Sequence, residues 1–165
     1  MNKKRWNLAN LMLTVSVAIS ATPALAQTVL NERQISLGLA REAASAAINQ
    51  CRKDGYRVSV TVVDRSGQVK VSMRDDGSSV ATPDNSRRKA YTALNFGTST
   101  TEVANLVARN PSAAALRDFT DVLLLGGGLP IRAGNEVIGG IGVSGAPAGA
   151  SDEVCAQAAI TKISN

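Results

Sequence analysis

The sequence contains no histidine, and this absence excludes several common kinds of catalytic site. Serine–histidine and cysteine–histidine pairs, in which an imidazole activates the nucleophile, cannot be built from this chain. Zinc sites lose their most frequent nitrogen ligand, and we predict no metal site. Ser144 lies in Gly-Val-Ser-Gly-Ala, which is not the G-x-S-x-G pattern of a hydrolase nucleophile elbow. The sequence therefore argues against a hydrolase.

The chain also lacks an uninterrupted apolar run of the about 20 residues that a membrane-spanning helix needs. Its basic start, Lys3-Lys4-Arg5, is followed by a mainly apolar run over residues 8–19 and by small residues that end at Ala26. This order is typical of a secretory signal peptide. A retained anchor is the alternative, but polar residues and a proline interrupt the run at Asn10, Ser16, Ser20 and Pro23.

We therefore predict that residues 1–26 are a cleaved signal peptide and that residues 27–165 form a single domain. The domain is expected in the periplasm or outside the cell, with no stable membrane insertion after cleavage. The signal holds three of the 18 basic residues and none of the 13 acidic ones, so the remainder carries 15 minus 13, or +2. Such a small excess gives no support to nucleic-acid binding.

Apolar periodicity and turn residues predict an α+β fold with a mainly antiparallel sheet of about five strands flanked by helices. The first helix is expected to follow an Asn31 cap and run to about Arg52. Thr82 is expected to cap a second helix, which ends at Gly97. Ser99 with Glu102 predicts the cap of a third, and the last runs over residues 151–163. The predicted strands cover residues 58–63, 69–73, 121–125, 129–132 and 136–143.

Two cysteines, Cys51 and Cys155, lie at the end of the first predicted helix and near the start of the last. If these helices are antiparallel on one sheet face, the two residues are neighbours. A disulfide is then allowed in an oxidising compartment, since it needs Cα atoms within about 7 Å. The alternative is two buried free thiols.

Two glycine-rich segments invite a nucleotide-binding interpretation, and neither has the required context. Residues 140–145 match G-x-G-x-x-G, but the βαβ unit and the later acidic residue are missing. We interpret these glycines as a strand that passes close to another element. Gly126, Gly127 and Gly128 lack the Lys-Ser/Thr of a phosphate loop. They form either a tight corner between strands or a backbone surface that a ligand can approach.

Lys89 follows two arginines near the start of the second helix, and helical spacing sends the three side chains in different directions. A solvated face is the default interpretation. Lys89 adjoins the expected buried edge, so the alternative is that it points into a cleft and binds an anionic group. Arg74, Ser144 and Asp152 are further candidates for the same cleft.

Taken in order, four groups of residues resemble the GlcG/HbpS family of haem-binding-like proteins, which includes the C-terminal domain of PduO. The first is Val62-Val63-Asp64-Arg65-Ser66-Gly67 with Arg74, and the second is Arg88-Lys89-Ala90-Tyr91-Thr92-Ala93. The others are Gly127-Gly128-Leu129-Pro130-Ile131, and residues 138–145 with Asp152-Glu153. Together they span nearly the whole of the predicted mature chain.

The resemblance implies a profilin-like or roadblock-like sheet flanked by helices, assembly into homo-oligomers, and a cleft beside the glycine–proline loop that takes a small ligand. By position, the ligand-binding candidates are Lys89, Thr92, Gly127, Gly128, Pro130, Ser144 and Asp152. Haem is the ligand of some relatives. Without histidine, the side chains that could ligate its iron are those of Cys51, Cys155, Met73, Tyr56 and Tyr91, since cysteine, methionine and tyrosine also ligate haem iron. If the two cysteines are paired, Tyr91 and Met73 are the better placed.

Three functions remain, and we favour the first. The first is an exported protein that binds a small anionic or tetrapyrrole-like ligand without converting it. The second is an enzyme in which Lys89 or Asp152 performs acid–base chemistry on a small metabolite. The third is an oligomeric scaffold without a ligand.

Overall fold

Residues 30–164, the part of the chain that the computed structural model describes, form helices and strands in the expected alternation. The α-helices are α1 (Leu37–Lys53), α2 (Thr82–Phe96), α3 (Thr100–Arg109) and α4 (Gly149–Ile163), with a 3-10 helix over Pro111–Asp118. The strands are β1 (Ser59–Asp64), β2 (Val69–Arg74), β3 (Gly128–Ala133) and β4 (Glu136–Ser144). The predicted signal peptide, residues 1–26, lies outside the described residues.

The strands form one antiparallel sheet in the order β2-β1-β4-β3. Two hairpins, β1–β2 and β3–β4, are joined through the central pair β1–β4. Helices α1 and α4 pack on one face, and α2 packs on the other. This arrangement confirms the predicted α+β fold with an antiparallel sheet. None of the helices within residues 30–164 is long and apolar enough to cross a membrane.

The sheet has four strands where about five were predicted, because residues 121–125 do not form a strand. Side chains of α2 take the hydrogen bonds that a neighbouring strand would have made. Arg88 donates to the Val122 carbonyl at 2.7 Å, and the Leu123 amide donates to the Thr92 hydroxyl at 2.9 Å. The apolar run is thus held against a helix by polar contacts, which its composition could not indicate.

Three helices begin at residues other than those predicted, and one of them is α4, which begins at Gly149 rather than at residue 151. The N-cap of α1 is Ser36, whose hydroxyl accepts from the Leu39 amide, and Asn31 is not a cap. The reason is that the Ile35 amide donates to the Ile138 carbonyl, which holds residue 35 beside β4 and outside the helix. Helix α2 already includes Thr82, and its N-cap position is Ala81, which has no capping side chain. The Ser99 cap of α3 is confirmed, since its hydroxyl accepts from the Glu102 amide.

The α1–α4 face of the sheet is built from aliphatic side chains and alanines. Val58, just before β1, and Val60 and Val62 of β1 point to this face together with Ile141 and Val143 of β4. Alanines at helical spacing on α1 and α4 let the two helices approach each other closely. Cys51 and Cys155 join them in a disulfide with Cα atoms 5.5 Å apart. Free thiols, the alternative left open by the sequence, are not present at these positions.

The α2 face is built from glycines and hydroxyl groups. A Cβ atom on Gly142 would overlap the Ser86 carbonyl oxygen, and one on Gly140 would overlap the Ala90 carbonyl oxygen. The backbone of α2 therefore lies directly against β4. This explains the G-x-G-x-x-G match without a nucleotide, as expected of a strand that passes close to another element. Beside it, buried hydroxyls of β1 bond to those of α2: Ser59 to Thr82 and Thr61 to Ser86, each at 2.8 Å.

Candidate functional site

A buried ion pair between Lys89 and Asp152 forms the centre of the candidate site. Lys89 lies on α2, Asp152 lies in the first turn of α4, and the Nζ and Oδ2 atoms are 2.8 Å apart. Lys89 is 2% exposed and Asp152 is 3% exposed. Lys89 Nζ also donates to the Val143 carbonyl of β4 at 2.9 Å. The lysine thus joins a helix on one sheet face to the first turn of a helix on the other.

The other oxygen of Asp152 accepts from the Ala146 amide at 2.9 Å, and so fixes the turn between β4 and α4. Burial raises the pKa of the Asp152 carboxyl. The charge of Lys89 and its hydrogen bond oppose that rise, as do the backbone hydrogen bonds from Gly145 and Ala146. Both oxygens are occupied by groups of the protein. The pair is therefore a closed electrostatic contact rather than a group that waits for a substrate.

The glycine loop completes the enclosure. Gly127 has a positive φ of 115°, and a Cβ atom there would stand 2.6 Å from both Asp152 Cβ and the Val143 carbonyl oxygen. It would also stand 3.1 Å from Lys89 Nζ. At Gly128, a Cβ atom would overlap the Lys89 carbonyl oxygen. The glycines are thus required by close packing of the loop on the ion pair, and they do not leave a recess for a ligand there.

The remaining predicted residues lie around this cluster with different tasks. Thr92 accepts from the Leu123 amide and donates to the Arg88 carbonyl, so it holds the 121–125 segment on α2. Ser144 is buried at the end of β4, opposite Ser59. Pro130 is half-buried in β3, opposite Gly140. Arg74 donates to the Ser78 carbonyl, and this contact does not connect it to Lys89 or Asp152.

The two candidate iron ligands lie on opposite faces of the sheet. Met73 of β2 pairs with Val60 and packs against the core beneath α1 and α4. Tyr91 of α2 is half-buried, and its ring lies over the hairpin turn at Gly67, where a Cβ atom would come within 3.1 Å of it. One iron within one chain therefore cannot take both side chains. Among residues 30–164, no group of three or more acidic or cysteine side chains is arranged to hold a metal ion.

Sequence reasoning missed the backbone groups of this cluster. The Val143 carbonyl and the Ala146 amide bind Lys89 and Asp152, yet every residue carries such groups and no sequence signal marks them. The link between Thr101 of α3 and Glu153 of α4, 2.5 Å between oxygens, was missed for a similar reason. Thr101 and Glu153 are 52 residues apart in sequence, so their contact depends on where α3 and α4 lie in the fold and not on any local pattern.

Comparison with protein families gives the identity of the fold and of the chain's relatives. Residues 35–161 match the family described as haem degrading protein HbpS-like. The chain belongs to this family. The match covers all of the described strands and all but the last residues of α4, so the HbpS-like residues include the whole candidate cluster.

Solved HbpS-like structures share this architecture. A double mutant of Streptomyces reticuli HbpS superposes with a TM-score of 0.78 at 38% identity, covering 86% of this chain and 97% of that one. Klebsiella pneumoniae protein ORFY gives 0.77 at 29% identity, with 86% and 98% covered. The crystal structure of a PduOC–heme complex gives 0.70 at 26% identity, with 78% and 94% covered.

A curated relative is an uncharacterised 15.0 kDa protein of the dhaT-dhaS intergenic region of Citrobacter freundii. It is 33% identical over 113 residues, which cover 67% of this chain and 80% of the relative. The resemblance to the GlcG/HbpS family is thereby confirmed.

Proposed function

We propose that this chain is an exported protein that binds a small anionic ligand, with haem as the first ligand to test. The observation that carries the proposal is its likeness to PduOC, which crystallised with heme, over 78% of this chain. Export rests on the basic, apolar and small-residue order of residues 1–26. Assembly into homo-oligomers, implied by the resemblance, is part of the proposal and is tested by light scattering on the purified protein.

The contacts that already occupy Lys89 and Asp152 favour ligand binding over acid–base catalysis. A general base must reach the proton that it abstracts, directly or through one water molecule. Both oxygens of Asp152 are already bonded to Lys89 and to backbone, and the pair is covered by Gly127. These contacts support a role for Lys89 and Asp152 in fixing the loop, with ligand contacts made by groups nearer the surface.

A hemin titration followed at the Soret band tests the proposal. We expect a saturable shift in the wild-type protein, lost in Tyr91→Phe or in Met73→Leu depending on which residue ligates the iron. Tyr56→Phe, which changes the other tyrosine of the described residues, is the matched control and should leave the shift unchanged. Absence of a Soret shift at any hemin concentration would remove haem from the proposal.

The description of the family as haem degrading supports a second candidate, in which bound haem is broken down. Protein loaded with hemin is incubated with ascorbate in air, and the Soret band is followed with released iron measured by a chelator. A stable band with no released iron leaves binding as the function. Time-dependent loss of the band in the wild type, beyond that of free hemin, establishes degradation instead.

Export is tested on the full chain expressed in a bacterium with a periplasm. We expect the protein in the periplasm or the medium, with Gln27 at its N-terminus. Retention of residues 1–26 on the exported protein contradicts cleavage after Ala26, and recovery from the cytoplasm alone contradicts export.

A further inference from the structure

Arg88 of α2 has a buried donor nitrogen without an acceptor. Its Nη2 atom donates to the Val122 carbonyl at 2.7 Å. Within residues 30–164, its Nε atom is the one buried side-chain nitrogen or oxygen that has no hydrogen-bond partner. A buried donor that is left unpaired is costly, and more so when it belongs to a charged group. Such an atom in a folded protein requires an explanation, and a bound acceptor is one.

Arg52 shows what the same edge of a guanidinium binds elsewhere in this protein. Its Nε and Nη2 atoms donate to the two carboxylate oxygens of Asp75, at 3.0 and 2.5 Å. Arg88 presents the same two nitrogens, but the Val122 carbonyl takes only Nη2. A carboxylate supplies two oxygens that match the two donors of this edge. A carboxylate is therefore the group that would satisfy both nitrogens of Arg88.

Residues 119–125 form a covering segment over Arg88, and few contacts hold it. Val122 is the only buried residue of the segment, and the 3-10 helix that precedes it, Pro111–Asp118, has none. The large apolar side chains at its two ends are more than half exposed. Apart from the bond to Arg88, the Leu123 amide donates to the Thr92 hydroxyl at 2.9 Å. Segments with so few buried contacts open at a lower free energy than the core of the fold.

The carboxylates beside Arg88 are paired with another arginine. Asp84 of α2 and Asp121 of the covering segment bond to Arg87, at 3.0 and 2.9 Å. Because Asp121 lies on the covering segment, lifting the segment takes this carboxylate away from α2. Two arginines then remain with one aspartate, and the local charge changes from 2 minus 2, or zero, to 2 minus 1, or +1. The opened site thus attracts an anion.

We propose that the covering segment lifts to admit a small carboxylate, which binds Nε and Nη2 of Arg88 in place of the Val122 carbonyl. The bond between Leu123 and Thr92 breaks in the same step, so opening and binding are coupled. The apolar run over residues 122–125 lies against the rest of the bound molecule, which is therefore expected to be apolar. The inference rests on the proposed small-anion function and adds the residue that holds the anion.

Benzoate, a carboxylate on an apolar ring, is the probe, and its binding to the purified protein is followed by NMR. The Arg88 Nε–H signal should move downfield in a saturable way, because this donor gains an acceptor. Arg88→Lys keeps the charge but has no two-pronged edge, and should weaken binding by about tenfold, measured at the Leu123 amide. Arg109→Lys, which changes an exposed arginine of α3, is the matched control and should alter the affinity less than about twofold.

A second variant tests opening without touching the arginine. Thr92→Val removes the acceptor of the Leu123 amide and nearly preserves the volume of the side chain, so the open form becomes more populated. The affinity for benzoate should then rise by about threefold or more, because a larger fraction of the protein is ready to bind. General damage to the fold would not raise the affinity. An unchanged or lower affinity in Thr92→Val contradicts the coupling of opening and binding.

The remaining outcomes separate this inference from the haem proposal. If benzoate does not bind, or binds equally to the wild type and Arg88→Lys, the inference is overturned whatever hemin does. Benzamide, which has the ring without the charge, should bind more weakly than benzoate, and equal binding overturns the carboxylate. Inorganic phosphate that binds at Arg88 more tightly than benzoate overturns it as well. If benzoate binding depends on Arg88 while hemin gives no Soret shift, the anion site stands and haem is removed from the proposed function.

Discussion

The two faces of the sheet are packed by different chemistry. On the α1–α4 face, valines, isoleucines and alanines form a continuous apolar core that a disulfide closes. On the α2 face, glycines bring backbones together, hydroxyls pair across the interface, and a lysine–aspartate pair is buried. On the first face, the cost of a substitution follows the volume of apolar side chain that is removed or added. The second depends on individual atoms, because close backbone packing and buried polar groups allow little adjustment.

The largest effect is expected from removing the disulfide of the α1–α4 face. Cys51→Ala with Cys155→Ala opens a link across 104 residues of sequence, which should lower the free energy of unfolding by about 4 kcal/mol. Urea unfolding measures the change, and adding a reductant to the wild type should reproduce it. A loss below about 1 kcal/mol would mean that the apolar core of this face needs no covalent link.

The second-largest loss of stability is expected from breaking the buried Lys89–Asp152 ion pair of the α2 face. Lys89→Met leaves the carboxylate of Asp152 buried without its partner and should cost about 3 kcal/mol. Combining it with Asp152→Leu should restore part of that loss, since the uncompensated charge is then gone. The control is Arg87→Met on the same helix, which breaks exposed pairs with Asp84 and Asp121 and should cost about 0.5 kcal/mol. Equal losses of stability in Lys89→Met and Arg87→Met would contradict the prediction that the buried ion pair matters more than the exposed ones.

A single methyl group tests the close approach of α2 and β4. Gly142→Ala should destabilise by about 2 kcal/mol or more, because its Cβ would overlap the Ser86 carbonyl oxygen. Two controls bracket the result. Ile141→Val, which points to the other face, should cost about 1 kcal/mol, and Gly38→Ala, where the space is open, should be neutral or slightly stabilising. A well-folded, fully stable Gly142→Ala protein would show that α2 can move away from the sheet.

Thr61 and Val62 are adjacent in β1 and face opposite sides of the sheet, so each can be replaced by the residue type of the other face. Val62→Thr places a hydroxyl without a partner in the apolar core and should cost about 2 kcal/mol. Thr61→Val removes a hydroxyl bonded to Ser86 and Ser72, and should cost about 1 kcal/mol. Thermal unfolding of both variants gives the comparison. A larger loss for Thr61→Val would reverse it and would show that the hydroxyl network stabilises β1 more than its apolar packing does.

The smallest effect concerns pH, through two buried carboxylates with opposite shifts. A hydrogen bond from Arg52 of α1 is the main cause that holds the pKa of Asp75 below its usual value, so its stabilising effect is lost as the pH falls through that lowered value. Burial raises the pKa of Asp152, so its contribution to stability instead falls as the pH rises through the raised value.

The stability difference between the wild type and Asp75→Asn should therefore shrink as the pH is lowered from 6 to 3, by under about 1 kcal/mol, since the arginine partners are half exposed. The difference between the wild type and Asp152→Asn should grow over the same range. Urea unfolding at each pH gives both slopes, and slopes of the same sign would contradict the assignment.

Much of the fold could be predicted from local patterns. Alternating valines indicated β1, the Asp64–Gly67 turn indicated the β1–β2 hairpin, and the Ser99 cap indicated the start of α3, because each depends on neighbours in sequence. The apolar run over 121–125 failed, since its hydrogen bonds go to Arg88 and Thr92. Periodicity describes which residues prefer burial, and it does not say which element will cover them.

The candidate site shows the same division. The resemblance to the GlcG/HbpS family implied that Lys89, Gly127 and Asp152 come together, and the structure places them in contact. Their contact is a filled one, where an open cleft was expected. Whether a lysine and an aspartate face a ligand or each other depends on how closely α2, β4 and α4 approach one another, and residue spacing carries no such information.

By itself, the sequence determined the helices, four of the predicted strands and the β1–β2 hairpin, because apolar periodicity and turn residues act over short stretches of chain. The proximity of Cys51 and Cys155 depended on the first and last helices packing on one sheet face, which only the tertiary structure shows. Only the tertiary structure decided that the ion pair is closed and that a groove remains between α1, α4 and the β3–β4 hairpin. Both depend on how helices far apart in sequence meet, and the space between packed elements is a property of their arrangement rather than of any one segment.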